Sequence, residues 1–108
     1  MSSPDPERAF ERVADAFASD PRVTRGGKGF GGTGLKIDGK LFALISSRKQ
    51  FVVKLPGPRV QVLLAGKKFE HFDTGSGRLM KEWAATSVVD GTWTGLAREA
   101  RRFVGGDR

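Results

Sequence analysis

The stretch "TGLKIDGKLFALIS", residues 33–46, contains two strand patterns separated by one turn signal. In the first pattern Leu35 and Ile37 alternate with polar residues, which is typical of a strand with one buried face. The Asp-Gly pair at 38–39 tolerates the positive φ angles of a tight hairpin turn. The second pattern, residues 41–45, is apolar at every position and predicts a central strand covered on both faces. The stretch therefore predicts an antiparallel β-hairpin inside a sheet.

An amphipathic helix is predicted upstream of this hairpin. Asp5 can cap its N terminus, and Pro6 suits its first turn because the N–H that proline lacks has no partner there. Its apolar residues recur at the helical spacing i, i+3, i+4 and i+7, at Phe10, Val13, Ala14 and Phe17. The Asp-Pro pair at 20–21 ends the predicted helix, because a residue before proline resists helical geometry.

Downstream of the hairpin the sequence predicts a strand and then a short helix. The strand is "FVVKL", residues 51–55, which returns after the turn residues "SSRKQ". The helix is "PRVQVLLAG", residues 58–66, because proline suits its first turn and Gly66 can stop it.

Two further strands are predicted before the last helix. "KKFEHFD", residues 67–73, is a short strand or extended segment, and "LMKEWAATS", residues 79–87, alternates as a strand. Lys81 and Trp83 share one face of the second strand. That face indicates either a sheet edge or a partly wet surface.

The clearest helical pattern lies near the C-terminal end of the sequence. Its apolar residues follow the helical spacing over three turns, at Trp93, Leu96, Ala97, Ala100, Phe103 and Val104. Asp90 can cap its start, and the Gly-Gly pair at 105–106 can end it. Together the elements predict an α+β two-layer sandwich in the order α-β(3-4)-α-β(2)-α, with an antiparallel meander sheet and helices mostly on one face.

Length and composition bound the class of protein. The chain has 108 residues, so we expect one domain over residues 1–108, with a core at about 6–104 and short disordered ends. It contains no cysteine, which excludes disulfides and thiolate metal sites. No apolar run approaches the roughly 20 residues of a membrane helix, and the start is polar and charged. We therefore expect a cytoplasmic protein without membrane contacts.

The charge of the chain is strongly positive and unevenly spread. The formal net charge is +7. Residues 1–20 hold two arginines and five carboxylates, a balance of −3, so the remaining residues sum to +10. Such a charge attracts polyanions and makes nucleic acid a candidate partner, whereas a solvated basic surface is the simpler interpretation.

A glycine-rich segment, "RGGKGFGGTG" at residues 25–34, precedes the hairpin. Residues 27–32 match G-x-G-x-x-G, a pattern of phosphate-binding loops. A dinucleotide site needs a helix after the glycines, whereas a strand follows here, and the Gly-Lys-Ser/Thr ending of a Walker loop is absent. The segment is therefore interpreted as a bend into the hairpin. A small-molecule or phosphate site that uses Lys28 is the alternative.

No constellation of residues points to catalysis, a metal or a cofactor. His71 is the only histidine, and a metal site needs three or four ligands. The carboxylates outside the first helix form no marked acid–base pair. Trp83 and Trp93 are interpreted as packing residues rather than stacking platforms, because Trp93 begins the apolar stripe of the last helix. We therefore expect a non-enzymatic protein with no catalytic, cofactor-binding or metal-binding residues.

Basic side chains are the remaining candidates for a binding site. Three arginines lie at i, i+3 and i+4 on the last helix, opposite its apolar stripe. Guanidinium groups on an exposed helix face suit phosphate contacts. Two more basic pairs lie in predicted turns. The candidate set for nucleic-acid or partner contacts is Arg48, Lys49, Lys67, Lys68, Arg98, Arg101 and Arg102.

Several motifs resemble one known family. They are "GFGGTGLKIDGKLFALI", "FVVKLP", "GRLMKEW" and the closing helix "W…LAREARRFV". Together they resemble the TfoX N-terminal domain of the TfoX/Sxy family, which is related in shape to the MmcQ/YjbR proteins. The resemblance covers about residues 8–104. Its marker residues are Phe30, Gly31, Gly34, Asp38, Gly39, Lys40, Phe42, Lys54, Lys81 and Trp83.

The resemblance implies a two-layer α+β domain that acts as a regulatory or binding module. The family has no agreed catalytic residues, so none are transferred. The namesake regulates competence genes and has a second domain, and its competence role is not carried over. We expect transcription-related contacts with nucleic acid or a protein partner, by a monomer or a homodimer. The alternatives are a phosphate-ligand domain at the glycine-rich bend and a homodimeric structural module.

Overall fold

The computed structural model describes residues 5–25, 34–46, 48–73 and 79–106, which form three helices and six strands. The elements follow one another as α1 (Pro6–Asp15), β1 (Val23–Arg25), β2 (Leu35–Ile37), β3 (Lys40–Ile45), β4 (Phe51–Lys54), α2 (Gly57–Ala65), β5 (Glu70–Asp73), β6 (Leu79–Thr86) and α3 (Trp93–Gly105). This order confirms the predicted α+β arrangement.

The six strands form one antiparallel sheet in the order β1-β2-β3-β4-β6-β5. In the turn between β2 and β3, Asp38 and Gly39 have φ angles of 52° and 83°. The Asp-Gly pair therefore adopts the positive φ angles predicted for it. β3 lies in the interior of the sheet, between β2 and β4, and its residues 42–44 are buried. The prediction of a central strand at residues 41–45 is confirmed.

One buried cluster joins all three helices to the same face of the sheet. α1 contributes Phe10, α2 contributes Val60, and α3 contributes Trp93, which is 2% exposed. The Trp93 ring stacks on Phe51 of β4, with ring centres 4.6 Å apart and planes 9° apart. Its indole N–H donates to the Val88 carbonyl at 3.0 Å, so the polar atom of this buried ring is satisfied. Such an aromatic pair stabilises a fold by roughly 0.5–1.5 kcal/mol beyond the area it buries.

A β-bulge in β3 turns two consecutive side chains towards the helices. Lys36 of β2 pairs with Leu41, whereas the residue before Lys36 pairs with Ala43, so the register passes over Phe42. An extra residue of this kind disrupts the regular alternation of side chains between the two faces. Phe42 and Ala43 both belong to the helix-facing cluster, where the Phe42 ring meets Phe17 edge-on at 5.5 Å.

A second, smaller apolar cluster lies on the face of the sheet away from the helices. Val52 belongs to it because side chains alternate along β4, whose residues 51 and 53 face the helices. Trp83 packs against this cluster, and the Lys54 ammonium lies 5.7 Å from the centre of its ring. The buried members of the cluster are Leu44, Val52, Phe72 and Ala85.

β6 is an interior strand and not a sheet edge. It pairs with β4 on one side and with β5 on the other, so the edge positions belong to β1 and β5. The alternative interpretation, a partly wet surface, fits the side chains, since Lys81 is exposed and Trp83 is half-buried. The pairing of β5 with β6 shifts register between His71 and Phe72, so residues 81–83 of β6 have no paired residue in β5. The predicted order of three or four strands before α2 includes a fourth strand, β1, whose three residues carry too short a pattern to be located from the sequence.

α1 ends earlier than the sequence predicts. Its helix stops at Asp15, after which N–H groups donate to carbonyls three residues back, Phe17 to Ala14 at 3.0 Å and Ala18 to Asp15 at 3.1 Å. These tighter turns keep the chain winding, so Phe17 still reaches the core. Asp20 is the residue at which the winding stops, and the helix proper has ended five residues before it.

The start of α3 also differs from the prediction. The cap position is Thr92, and the helix begins at Trp93. Asp90 Oδ1 accepts a hydrogen bond from the Thr92 N–H at 2.9 Å and another from its hydroxyl at 2.5 Å. Asp90 therefore stabilises the turn that leads into α3, and it does not cap the helix itself.

The end of α2 places a lysine in the conformation that glycine favours. Gly66 has a φ of −76°, whereas the following Lys67 has a φ of 65° and donates its N–H to the Leu64 carbonyl at 3.0 Å. The left-handed conformation costs a residue with a Cβ roughly 1–2 kcal/mol. Gly66 is thus the C-cap of the helix, and the strained position with a positive φ is one residue later than predicted.

We expect Lys67→Gly to stabilise the protein by up to about 1 kcal/mol, because glycine adopts a positive φ without a Cβ penalty. Thermal denaturation followed by circular dichroism measures the change. Lys67→Ala is the matched control, since it removes the same charge and keeps the Cβ. A stabilisation that both variants share would assign the effect to charge instead of backbone strain.

Gly105, the last residue of α3, touches β2 directly. A Cβ at this position would lie 2.9 Å from Cγ1 of Ile37 and closer still to its Cδ1. Ile37 is fully buried in the core. A Cβ at Gly95, in the first turn of the same helix, would meet no atom within 4 Å among the described residues.

We expect Gly105→Ala to destabilise the protein by about 1–3 kcal/mol, because it overpacks the contact with Ile37. Gly95→Ala, the same substitution in open space, should stabilise it by up to about 1 kcal/mol through helix propensity. Urea denaturation of both variants gives the two free energies of unfolding. Changes of the same sign would contradict the close contact between α3 and β2.

Candidate anion-binding groove

A groove runs between α3 and the turns that follow α1. It is open to solvent and has a volume of about 440 Å³. Its lining residues are Ala16, Phe17, Ser19, Asp20, Arg98, Arg101 and Arg102. The structure therefore brings together the three arginines that the helical spacing predicted.

The amphipathic pattern of α3 places these arginines in the groove. Leu96, Ala97 and Ala100 are buried against the sheet, so residues 98, 101 and 102 lie towards the outer side of the helix. The turns after α1 form the opposite wall. They keep the chain close to α3 because Phe17 is buried in the same core.

The three arginines differ in what they contact. The Arg98 guanidinium lies 5.9 Å from the centre of the Phe17 ring, a cation–π distance. Arg101 donates from Nε to Asp20 Oδ2 at 2.6 Å, and these two side chains are 21% and 20% exposed. Arg102 is exposed. The predicted helix face is therefore solvated at two of its three arginines.

Asp20 is the acidic member of the groove. Its Oδ1 accepts the Arg22 backbone N–H at 3.0 Å, while its Oδ2 accepts the bond from Arg101. The hydrogen bond from Arg101 holds the pKa of Asp20 below its ordinary value of 3.8, against an opposing effect of partial burial. The carboxylate is therefore ionised at neutral pH. Among its described lining residues, the groove holds three guanidinium groups and one carboxylate.

A second ion pair fixes the end of α3 beside the groove. Arg22 pairs with Asp38 in the β2–β3 turn, and its Nη2 donates to the Gly105 carbonyl at 2.8 Å. That carbonyl belongs to the last turn of the helix, where a cation is favourable. The hydrogen bond from Arg22 also lowers the pKa of Asp38. The pair ties β2, α3 and the segment after α1 to one another.

The other four predicted residues are not among those that line the groove. Lys49 pairs with Glu7 at 2.9 Å, and Lys68 lies 3.9 Å from Asp90. Asp90 precedes α3, and Arg101 lies eight residues after the first residue of that helix, about 12 Å along it at a rise of 1.5 Å per residue. The two remaining members of the predicted set, exposed in the same turns, are Arg48 and Lys67.

A second cavity of about 330 Å³ lies between α1 and the start of α3. Its walls include the buried residues Val13 and Trp93 together with one guanidinium, Arg12, and one carboxylate, Asp90. These opposite charges give it no excess of positive charge. It is therefore a weaker candidate for an anion than the arginine groove.

The glycine-rich segment cannot be compared with its prediction. Residues 26–33, which include Lys28 and the family markers Phe30 and Gly31, lie outside the described residues. β1 and β2 flank this segment and pair with each other in antiparallel fashion. The bend and the alternative phosphate site at Lys28 both stay predictions.

His71 lies in β5 and is half-buried. Its Nδ1 is buried and has no hydrogen-bond partner among the described residues. Over the same residues, no group of three or more His, Cys, Asp or Glu side chains is arranged to hold a metal ion. None of the described helices has the length and apolar character needed to cross a membrane.

Comparisons of the chain with protein-family models, with curated proteins and with solved structures find no match. The resemblance to the TfoX N-terminal domain therefore stays a prediction. The groove is a candidate anion-binding site because of the positions of its arginines alone.

Sequence reasoning missed the groove's carboxylate. Asp20 was assigned only to the end of a helix, and its partner Arg101 lies 81 residues away. A local pattern cannot pair residues at that separation. The one available signal was an acidic residue at the end of an amphipathic helix that had to pack beside an arginine-bearing helix.

The Asp20–Arg101 pair should make stability depend on acid pH. The pKa of Asp20 is lower in the folded protein than its ordinary 3.8, so the unfolded chain binds this proton more tightly. The stabilisation of the folded protein by the Asp20–Arg101 pair is present above about pH 5. It is lost as the pH falls through 3.8 and then through the lower pKa of Asp20 in the folded protein. We expect Asp20→Asn to lower the melting temperature at pH 7 and to flatten its decline between pH 5 and 2.

Arg101→Ala is the partner variant for this experiment. It removes the same interaction, so Asp20→Asn combined with Arg101→Ala should flatten the decline little further than either change alone. Melting temperatures over the pH series supply the comparison. An unchanged pH dependence in Asp20→Asn would show that the pair adds nothing to acid stability.

Proposed function

We propose that this chain is a small non-enzymatic binding domain whose arginine groove holds phosphates of the nucleic-acid backbone. The observation that carries the proposal is the convergence of Arg98, Arg101 and Arg102 on one open groove of about 440 Å³. The resemblance to the TfoX N-terminal domain adds a regulatory, transcription-related role in the cytoplasm to the proposal.

The chemistry of the groove favours a phosphodiester chain over an enclosed small ligand. The groove is open to solvent, so a long polyanion can lie along it without being enclosed. Guanidinium groups present planar sets of N–H donors that match the oxygens of a phosphate. The one aromatic ring in the lining, Phe17, already contacts Arg98 and lies in the core. The proposal is therefore one of backbone contacts without base recognition.

The distribution of charge supports the same proposal. Residues 21–108 carry a net charge of +10, which attracts a polyanion over long range and speeds encounter with it. The acidic α1 is partly neutralised, because Arg25 pairs with Glu11 at 2.6 Å. This pair reduces the repulsion that α1 would exert on a phosphate in the adjacent groove.

We expect the protein to bind a short fluorescein-labelled DNA duplex in fluorescence anisotropy, with an affinity that falls steeply between about 50 and 200 mM salt. Each phosphate contact should contribute about −0.9 to the slope of log affinity against log salt concentration. Arg98→Ala combined with Arg102→Ala should reduce the steepness of this slope by about 1.8. The same pair of changes should weaken binding at low salt roughly tenfold, or about 1.4 kcal/mol.

The matched control is Arg48→Ala combined with Lys67→Ala, which removes two exposed positive charges that are not among the groove's lining residues. It should leave the affinity within about twofold of the unaltered protein, since screened surface charges act weakly at a distance. Equal losses in the two double variants would assign binding to net charge and not to the groove. If the protein does not bind the duplex at the lowest salt concentration, the proposed function is wrong.

A further inference from the structure

Asp20 lies inside the groove, where it is the one carboxylate beside three arginines among the described lining residues. Its Oδ2 holds Arg101 Nε at 2.6 Å. A carboxylate and a phosphodiester offer an arginine the same kind of anionic oxygen acceptor. The two cannot both accept from the same N–H in good geometry.

The two members of this pair are anchored very differently. Asp20 is fixed by a backbone contact, because its Oδ1 accepts the Arg22 N–H at 3.0 Å. Arg101 has a long side chain that can reorient while its backbone stays in α3. Asp20 therefore keeps its place when Arg101 moves, and it is able to take the arginine back.

Partial burial strengthens the contact between Asp20 and Arg101, but a polyanion can still replace it. Both side chains are about four-fifths buried, at 21% and 20% exposure, so water screens the pair less than a surface ion pair. A single small anion that contacts Arg101 alone gains little, because it replaces one such bond with another. A polyanion that also contacts Arg98 and Arg102 gains additional bonds on the same helix.

We infer that Asp20 is a built-in competitor of the phosphate: it holds Arg101 in the groove, and a bound backbone must draw this arginine away from it. The inference rests on the proposed function, which it extends to the control of affinity in the same groove. Asp20 thereby makes the groove weak towards single anions and selective for a chain of phosphates.

The test uses Asp20→Asn, which keeps the size of the side chain and an oxygen acceptor while it removes the charge. With the labelled duplex at low salt, we expect binding about fivefold tighter, the size of effect that removing one nearby charge produces. The slope of log affinity against log salt concentration should stay the same, because Arg101 contacts a phosphate in both complexes and the substitution removes only the competing carboxylate. In a variant that already carries Arg101→Ala, Asp20→Asn should increase the affinity for the duplex by less than half as much.

Glu7→Gln is the matched control. It raises the net charge by the same amount and releases Lys49 from an ion pair, away from the groove. An affinity gain equal to that of Asp20→Asn would overturn the inference, as would a gain that survives fully in Arg101→Ala. Unchanged or weaker binding by Asp20→Asn would overturn it as well.

The outcomes separate this inference from the proposed function. If binding depends on Arg98 and Arg102 but Asp20→Asn gives no gain, the groove function stands and the competitor role falls. If no variant binds the duplex at low salt, both fall.

A measurement on the unaltered protein covers the case in which Asp20→Asn does not fold. The Arg101 Nε–H resonance in ¹⁵N-resolved spectra should shift as the duplex is added, together with those of Arg98 and Arg102. Shifts at Arg98 and Arg102 without any change at Arg101 would show that Asp20 keeps its arginine in the complex, and would overturn the inference.

Discussion

The stacking of Trp93 on Phe51 is the contact on which the position of α3 depends. Trp93 is the first residue of the helix, and Phe51 begins a strand in the interior of the sheet, so the contact anchors one end of α3 over the sheet. The hydrogen bond from the indole to the Val88 carbonyl holds the incoming chain against the same ring. Every side chain on the outer face of α3, including the arginines, is placed by this anchor.

The other end of α3 is held by close packing of the helix against β2 and by a hydrogen bond. Gly105 lies against Ile37 so closely that no side chain fits between them, and Arg22 binds the Gly105 carbonyl. One end is thus fixed by aromatic packing and the other by close approach and an ion pair. Because both ends are held, the arginines between them sit on a helix with little freedom to rotate, which gives an open groove a defined arrangement of donors.

The parts of the fold that were predicted correctly depend on local patterns. The alternation of Leu35 and Ile37 and the Asp-Gly turn each lie within a few residues. The same holds for the apolar stripe of α3, which is buried as predicted except at Phe103, a member of the predicted stripe that is 38% exposed. The parts that were missed depend on pairing between distant segments. The bulge at Phe42 exists only relative to β2, and the Asp20–Arg101 contact joins residues 81 positions apart. The candidate site divides in the same way. Its three arginines lie on one helix and were predicted, whereas its carboxylate, Asp20, lies on a distant segment and was missed.

The two edges of the sheet carry a consequence for solubility. A free strand edge offers unpaired N–H and C=O groups that can recruit the edge of another molecule, and long uncharged edges are the ones that polymerise. Over the described residues, the edge strands β1 and β5 have three and four residues. Arg25 ends β1 and is held by Glu11 of α1, while Glu70 begins β5 and accepts a hydrogen bond from Gln50. A charged residue on each edge strand works against the growth of this sheet, molecule by molecule, into a fibre.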